Sequence, residues 1–188
     1  MIKKYKLTSE AKEYFGLVFH RIEAVADFGN VVKGEKGGFI EKDENLSQKG
    51  TAWVYGNARV YGTARVSGNA WVYGNARVYG DARVSGNARV YGTARVSGNA
   101  WVSGNAWVYG DARVYGDARV SGNARVYGNA RVYGTARVYG DAWVSKKIKL
   151  IDGYFYHTKQ KSEKIEIVET CDDSDYETLA REPKIETL

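Results

Sequence analysis

Five arginines stand 18 residues apart, Arg59, Arg77, Arg95, Arg113 and Arg131, and four of them are followed two positions later by a tyrosine, at Tyr61, Tyr79, Tyr115 and Tyr133. Guanidinium groups interleaved with aromatic rings are the chemistry of polyanion binding: the cations take phosphates, and the rings stack on bases whatever their order. An acidic protein surface would suit the same column. The column also has a purely structural reading, because outward positions of strands favour aromatic residues and solvated charges keep a surface soluble. A second set on the same period is aromatic: Trp53, Trp71, Trp107 and Trp143, with Tyr55, Tyr73, Tyr91, Tyr109 and Tyr127 beside them. Contiguous exposed rings over several layers would exceed the few hundred Å² of apolar patch usual on a monomer, which predicts a protein interface and self-association through that face.

Acid–base or nucleophilic chemistry has less to build on. No histidine lies between residues 52 and 147; His20 and His157 fall on either side of that stretch. Cys171 has no neighbouring His or Asp arrangement to activate it. The glycines never form the G-x-x-x-x-G-K-S/T loop that cradles phosphates, and no Cys/His cluster has metal-ligand spacing. The expectation is a non-enzymatic protein with no cofactor and no metal.

The element that must position these columns is a six-residue unit, Ala-(Arg/Trp)-Val-(Tyr/Ser)-Gly-(Asn/Asp/Thr), written sixteen times from Ala52 to Lys147, with only the last copy broken, at Lys146-Lys147. A fixed short period marks a solenoid, in which each unit buries its apolar face by stacking on its neighbours. Ala and Val are two apart and share one side of a strand, so they form the core, while Arg/Trp and Tyr/Ser face outward. Gly followed by Asn, Asp or Thr is corner chemistry. Three hexads per coil would place residues 18 apart on one face. Ser67, Ser85, Ser103 and Ser121 keep that spacing, as do Asn69, Asn87, Asn105 and Asn123. Duplication of an 18-residue unit explains the same spacing without physics, and such a unit is also one whole coil. The third face then carries Arg65, Arg83, Trp101, Arg119 and Arg137 beside the serines. Arginines about 4.8 Å apart repel by roughly 1 kcal/mol per adjacent pair; Asp81, Asp111, Asp117 and Asp141 at the corners, and cation–π contact of the tyrosine rings with the guanidiniums, are expected to relieve part of it.

Residues 1–51 read as an N-terminal cap, which the blunt end of a solenoid needs to avoid edge-to-edge association. Tyr5 with Leu7, and Leu17 to Val25, read as two strands joined by a polar, helix-prone turn around Ser9 to Glu13. Turns are expected at Asp27 to Asn30 and at Gly34 to Gly38, with Ile40 and Leu46 entering the hexad phase at the alanine position. Residues 148–188 read as a second cap. The phase runs on through Ile148, Leu150, Tyr154 and Tyr156; a turn at Thr158 to Glu163, a strand at Lys164 to Val168, and a short helix from Ser174 to Arg181 before Pro183 follow.

The charge is concentrated where the repeat is. The chain has 188 residues and a net charge of +6, whereas the repeat alone has thirteen basic and four acidic side chains. Such a body attracts anionic partners. A single cysteine makes no internal disulfide, and neither an apolar leader nor a window of about 18 apolar residues is present, so a cytoplasmic setting without membrane contact is expected.

The segment Ala26-Asp27-Phe28, Gly34, Gly37-Gly38-Phe39-Ile40-Glu41, Asn45-Leu46-Ser47, Gly50 and Ala52-Trp53-Val54, together with the hexads, resembles bacterial and prophage hexapeptide-repeat proteins, some of which carry an acyltransferase label. The resemblance covers roughly residues 3–147. It implies an all-β fold, a left-handed parallel β-helix of triangular section with an N-terminal β cap. It leaves three functions open: a binding solenoid for a protein or nucleic-acid-containing partner, a phage-type inhibitor of a host nucleoprotein complex, and an acyltransferase or its relic.

Overall fold

The computed structural model describes residues 3–14, 16–145 and 148–157. Its body is a parallel β-solenoid of about 18 residues per coil, in which two-residue strands such as Arg77–Val78 stack on the strand one coil away. Three sheets result. The arginine sheet stacks Arg59, Arg77, Arg95, Arg113, Arg131 and Lys149 in register. The tryptophan sheet stacks Trp53, Trp71, Arg89, Trp107, Arg125 and Trp143. The serine sheet stacks Arg65, Arg83, Trp101, Arg119 and Arg137, with Tyr154 after them.

Inside the prism every repeat Ala and Val from Ala52 to Val138 is fully buried. Pairs so small let the three sheets approach closely, and backbone bonds of 2.7 to 3.0 Å, such as Arg77 N–H to the Ala94 carbonyl at 2.9 Å, hold coil to coil. The corner needs glycine twice over. Gly86 has φ +67°, and a Cβ there would lie 2.9 Å from the backbone N and O of Gly104, so an L side chain meets both strain and a clash.

The N-terminal cap is three antiparallel strands, β1 (Tyr5–Tyr14), β2 (Leu17–Ala24) and β3 (Lys36–Ile40), continuous with the arginine sheet through β3 and Arg59–Val60. Ser9 to Glu13 are therefore strand and not a turn, with the register shifting between Leu7 and Ala11. Polarity misled there because β1 is an edge strand with little of its length covered. Gly37 and Gly38 likewise belong to β3, where the Ile22 side chain and the Val54 and Ala58 carbonyls leave no room for a Cβ.

The cap also meets the carbonyls that the first coil turns toward it. Lys4 Nζ donates to Ala52 O at 2.7 Å, Asn45 Nδ2 to Ala64 O at 2.9 Å, and the Phe39 and Glu41 amides to Ala58 O and Val60 O. Burial lowers the Lys4 pKa to about 8.

Phase slips at both ends correct the sequence expectation. Ile40 pairs with Val60 and Leu46 with Val66, so both take the valine position. Two extra residues between Leu46 and Gly50 restore the phase, since Gly50 lies against Gly68. At the other end Leu150 pairs with Val132, but Phe155 pairs with Val138. That coil is one residue short, which turns Phe155 inward and leaves Tyr154 and Tyr156 exposed, as a one-residue slip must. The break at Lys146-Lys147, the expected turn, strand and helix between Thr158 and Arg181, and Cys171 lie outside the described residues. No helix of the described residues is long and apolar enough to cross a membrane.

Candidate functional site

Alternation along each short strand, with Val and Ala locked inward, projects the five arginines from one face at the coil rise. Stacked tyrosine rings measure that rise at 4.7 to 5.0 Å. Arg95 and Arg113 are exposed, and Arg59, Arg77 and Arg131 are half-buried. Arg59 packs on the Tyr14 ring of the cap at 4.0 Å. Among the described residues, Arg77, Arg95, Arg113 and Arg131 have neither a carboxylate within ion-pair distance nor an aromatic ring beneath the guanidinium. The ion pairs between described residues involve Lys3, Lys6, Arg21 and Lys36, all in the cap.

The corner carboxylates were expected to relieve the arginine column. Among the described residues none of them lies within ion-pair distance of an arginine, and each accepts a hydrogen bond from the neighbouring coil. Asp81 accepts from the Thr63 hydroxyl, Asp111 from Thr93, Asp117 from Asn99 at 2.9 Å and Asp141 from Asn123 at 2.9 Å. The Asn69, Asn87, Asn105 and Asn123 amides form a donor-to-acceptor ladder along one corner that ends on Asp141. The signal was present in the sequence: each of these four aspartates follows a Thr or Asn donor by 18 residues.

Tyrosines flank the arginines as the spacing predicted, and they are stacked. Tyr61 lies on Tyr79 at 5.0 Å and 6°, and Tyr115 on Tyr133 at 4.8 Å and 2°. Burial in the stack holds Tyr61 and Tyr115 above the usual phenol pKa; the neighbouring hydroxyl adds to the effect, and the adjacent arginines oppose it by less. A cleft of about 260 Å³ between Lys12, Tyr14, Phe39, Asn57, Arg59 and Asn75 heads the column where cap and solenoid meet.

The tryptophan sheet departs from expectation. Trp53 is fully buried, not displayed: Tyr5 and Phe28 of the cap meet its ring edge-on at 6.1 and 5.3 Å, and its Nε1 has no hydrogen-bond partner among the described residues. Trp71 and Trp107 are half-buried, and only Trp143 at the far end is broadly exposed, at 61%. Arginines fill the gaps between rings. Arg89 lies 5.6 Å from Trp71 and 5.1 Å from Trp107; Arg125 lies 4.9 Å from Trp107 and 4.7 Å from Trp143. The row Tyr73, Tyr91, Tyr109 and Tyr127 stacks continuously, and Tyr55 leans on Trp71. The column is thus a closed sandwich of rings and cations, not a bare apolar face.

His20 is in β2, its Nδ1 3.4 Å from the Thr8 carbonyl, while the His157 backbone pairs with Gly140 at the opposite end. The structure does not bring them together. Among the described residues no three His, Cys, Asp or Glu side chains are placed to hold a metal ion.

Comparison with known proteins agrees with this architecture. The YdcK beta solenoid repeat model matches in overlapping segments covering residues 52–146, just over half of the chain. The uncharacterized acetyltransferase YdcK of Escherichia coli (strain K12) is 29% identical over 62 residues, which are 29% of this chain and 19% of that protein. The chain thus matches well under two thirds of that relative's length. With its hexads stacked in three parallel sheets and the repeat model matched from Ala52 onward, the chain belongs to the YdcK beta-solenoid repeat family.

Proposed function

We propose that the protein is a non-catalytic binding solenoid that engages a polyanionic partner, a nucleic-acid-containing assembly or an acidic protein, along the arginine sheet. The observation that carries this reading is the run from Arg77 to Arg131. Four outward guanidiniums stand one coil apart, with neither carboxylate nor ring to offset them among the described residues. Each adjacent pair costs about 1 kcal/mol in a water-like medium, less with salt. A bound anion removes that repulsion, so the column is poised for a multivalent anionic ligand. Replacing Arg77, Arg95 and Arg113 with Glu abolishes capture of the partner while the far-ultraviolet circular dichroism stays unchanged. Undiminished capture by the folded variant sinks the proposal. Capture with and without nuclease separates direct protein binding from nucleic-acid bridging.

The name of the E. coli relative favours a second reading, acetyl transfer. Its test is consumption of acetyl-CoA that disappears in His20→Ala.

A further inference from the structure

The tyrosine row beside the arginine column is interrupted once. Tyr61 and Tyr79 form one stacked pair, Tyr115 and Tyr133 another, and Ser97 occupies the coil between them. The other rows have no such gap between tyrosines: the row on the tryptophan sheet is continuous from Tyr73 to Tyr127, and the serine sheet carries serines from Ser67 to Ser121. Because Val78, Val96 and Val114 are in register, Tyr79 and Tyr115 stand two coils apart. At the 5.0 and 4.8 Å spacings of the flanking pairs that is roughly 10 Å.

We propose that the gap over Ser97 is a slot for one unpaired nucleobase, with the attached phosphates lying on Arg77, Arg95 and Arg113. The proposal rests on the anion-binding reading of the arginine sheet and names the ligand class, single-stranded nucleic acid. A ring placed midway lies about 5 Å from each wall, inside the range of favourable aromatic pairs. The walls are rigid because each is backed by a second parallel ring, so the slot is formed before the ligand arrives. Ser97 is small and half-buried, and its hydroxyl can hydrogen-bond a base edge.

Charge sets the direction of the strand. Asp81 and Asp117 occupy the corner beyond the tyrosine row, where Asp81 accepts from Thr63 and Asp117 from Asn99. They repel phosphates from that side and leave the arginine side as the path of the backbone. Duplex nucleic acid does not fit, since its bases are already stacked and its phosphates rise 3.4 Å per strand step against 4.8 Å here. A nucleotide strand favours the slot over an aromatic side chain because it couples a ring to an anion at every unit, as the row and the column do.

The experiment compares a thymidine oligomer, an abasic oligomer with the same number of phosphates, and inorganic polyphosphate by titration. The wild-type protein binds the thymidine oligomer about tenfold more tightly than the abasic one, the scale of one base stacked on aromatic rings. Ser97→Tyr completes the row, keeps the thermal midpoint, retains polyphosphate binding and loses the tenfold preference. Ser97→Ala keeps the preference. Equal binding of the two oligomers by the wild type overturns the slot and leaves the arginine reading standing. No binding of any of the three overturns both. A preference for an acidic peptide with one tryptophan over its alanine analogue, without preference between the oligomers, assigns the gap to a protein side chain and overturns the nucleobase.

Discussion

The arginine sheet and the tryptophan sheet are written in the same hexad and use their cations in opposite ways. On the tryptophan sheet Arg89 and Arg125 each lie between two indole rings, so charge and aromatic surface satisfy one another within the molecule. On the arginine sheet the neighbours of Arg95 are Arg77 and Arg113, and the interaction is repulsive. Arginine in place of tryptophan at alternate coils leaves the cations facing one another instead of a ring, the arrangement proposed above to take an anion. The two ends of the tryptophan column teach a related lesson: Trp53 is core because the cap covers it, and Trp143 is surface because no ring of the described residues closes over it.

The contrast between these ends carries the largest predicted effect. Trp53→Ala opens a cavity between Tyr5, Phe28 and the first coil and costs about 3–5 kcal/mol, whereas Trp143→Ala costs less than about 1 kcal/mol. Urea unfolding of the two variants measures the difference, and equal losses would remove the distinction between core and surface ends.

Alkaline titration probes the tyrosine rows on both sheets. Tyr55, Tyr61, Tyr73, Tyr91, Tyr109 and Tyr115 have pKa values raised by burial. A folded-state pKa above the unfolded value gives stability that is full below the unfolded pKa of about 10 and is lost as the pH rises through the folded value. The thermal midpoint therefore falls steeply above pH 10. Lys4 acts in the opposite sense: its folded pKa of about 8 lies below the ordinary 10.5, so the unfolded chain binds more protons between these values and stability rises with pH across that window. Lys4→Met is expected to flatten the rise between pH 8 and 10 and leave the fall above it.

Smaller effects separate the two sheets directly. Trp107→Ala removes contacts with Arg89 and Arg125 and is predicted to cost about 1–2 kcal/mol by the cation–π contribution alone. Arg95→Ala removes two repulsive neighbours and is predicted to leave stability unchanged or raise it by up to about 2 kcal/mol, less with salt. A loss at Arg95 as large as at Trp107 would mean that the arginine column is structural.

Much of this fold is legible in the amino-acid sequence, because an 18-residue period with Ala and Val two apart admits few arrangements. Arg59 to Arg131 and Trp53 to Trp143 fall in the columns that the period assigns. What escaped was non-periodic. The burial of Trp53 depends on Tyr5 and Phe28, distant in sequence and without a repeat to place them. The slips at Leu46 to Gly50 and before Phe155 are insertions and deletions that a fixed phase cannot anticipate. Ser9 to Glu13 looked like a turn because an edge strand is free to be polar on both sides. The corner carboxylates belong to a different case: Asp81, Asp111, Asp117 and Asp141 each follow a Thr or Asn donor by 18 residues and accept from it, a pairing along the corner that the arginine spacing does not announce.

Salt dependence of oligonucleotide binding tests the central claim most directly. Single-stranded binding by the wild type is predicted to weaken with salt at a slope near −0.7 per phosphate contact. Arg77, Arg95 and Arg113→Gln together should flatten that slope by about two, while Arg89 and Arg125→Gln leave it nearly unchanged and lower stability instead. Equal flattening by both sets, or wild-type binding indifferent to salt, would contradict the assignment of the arginine sheet as the anion-binding face.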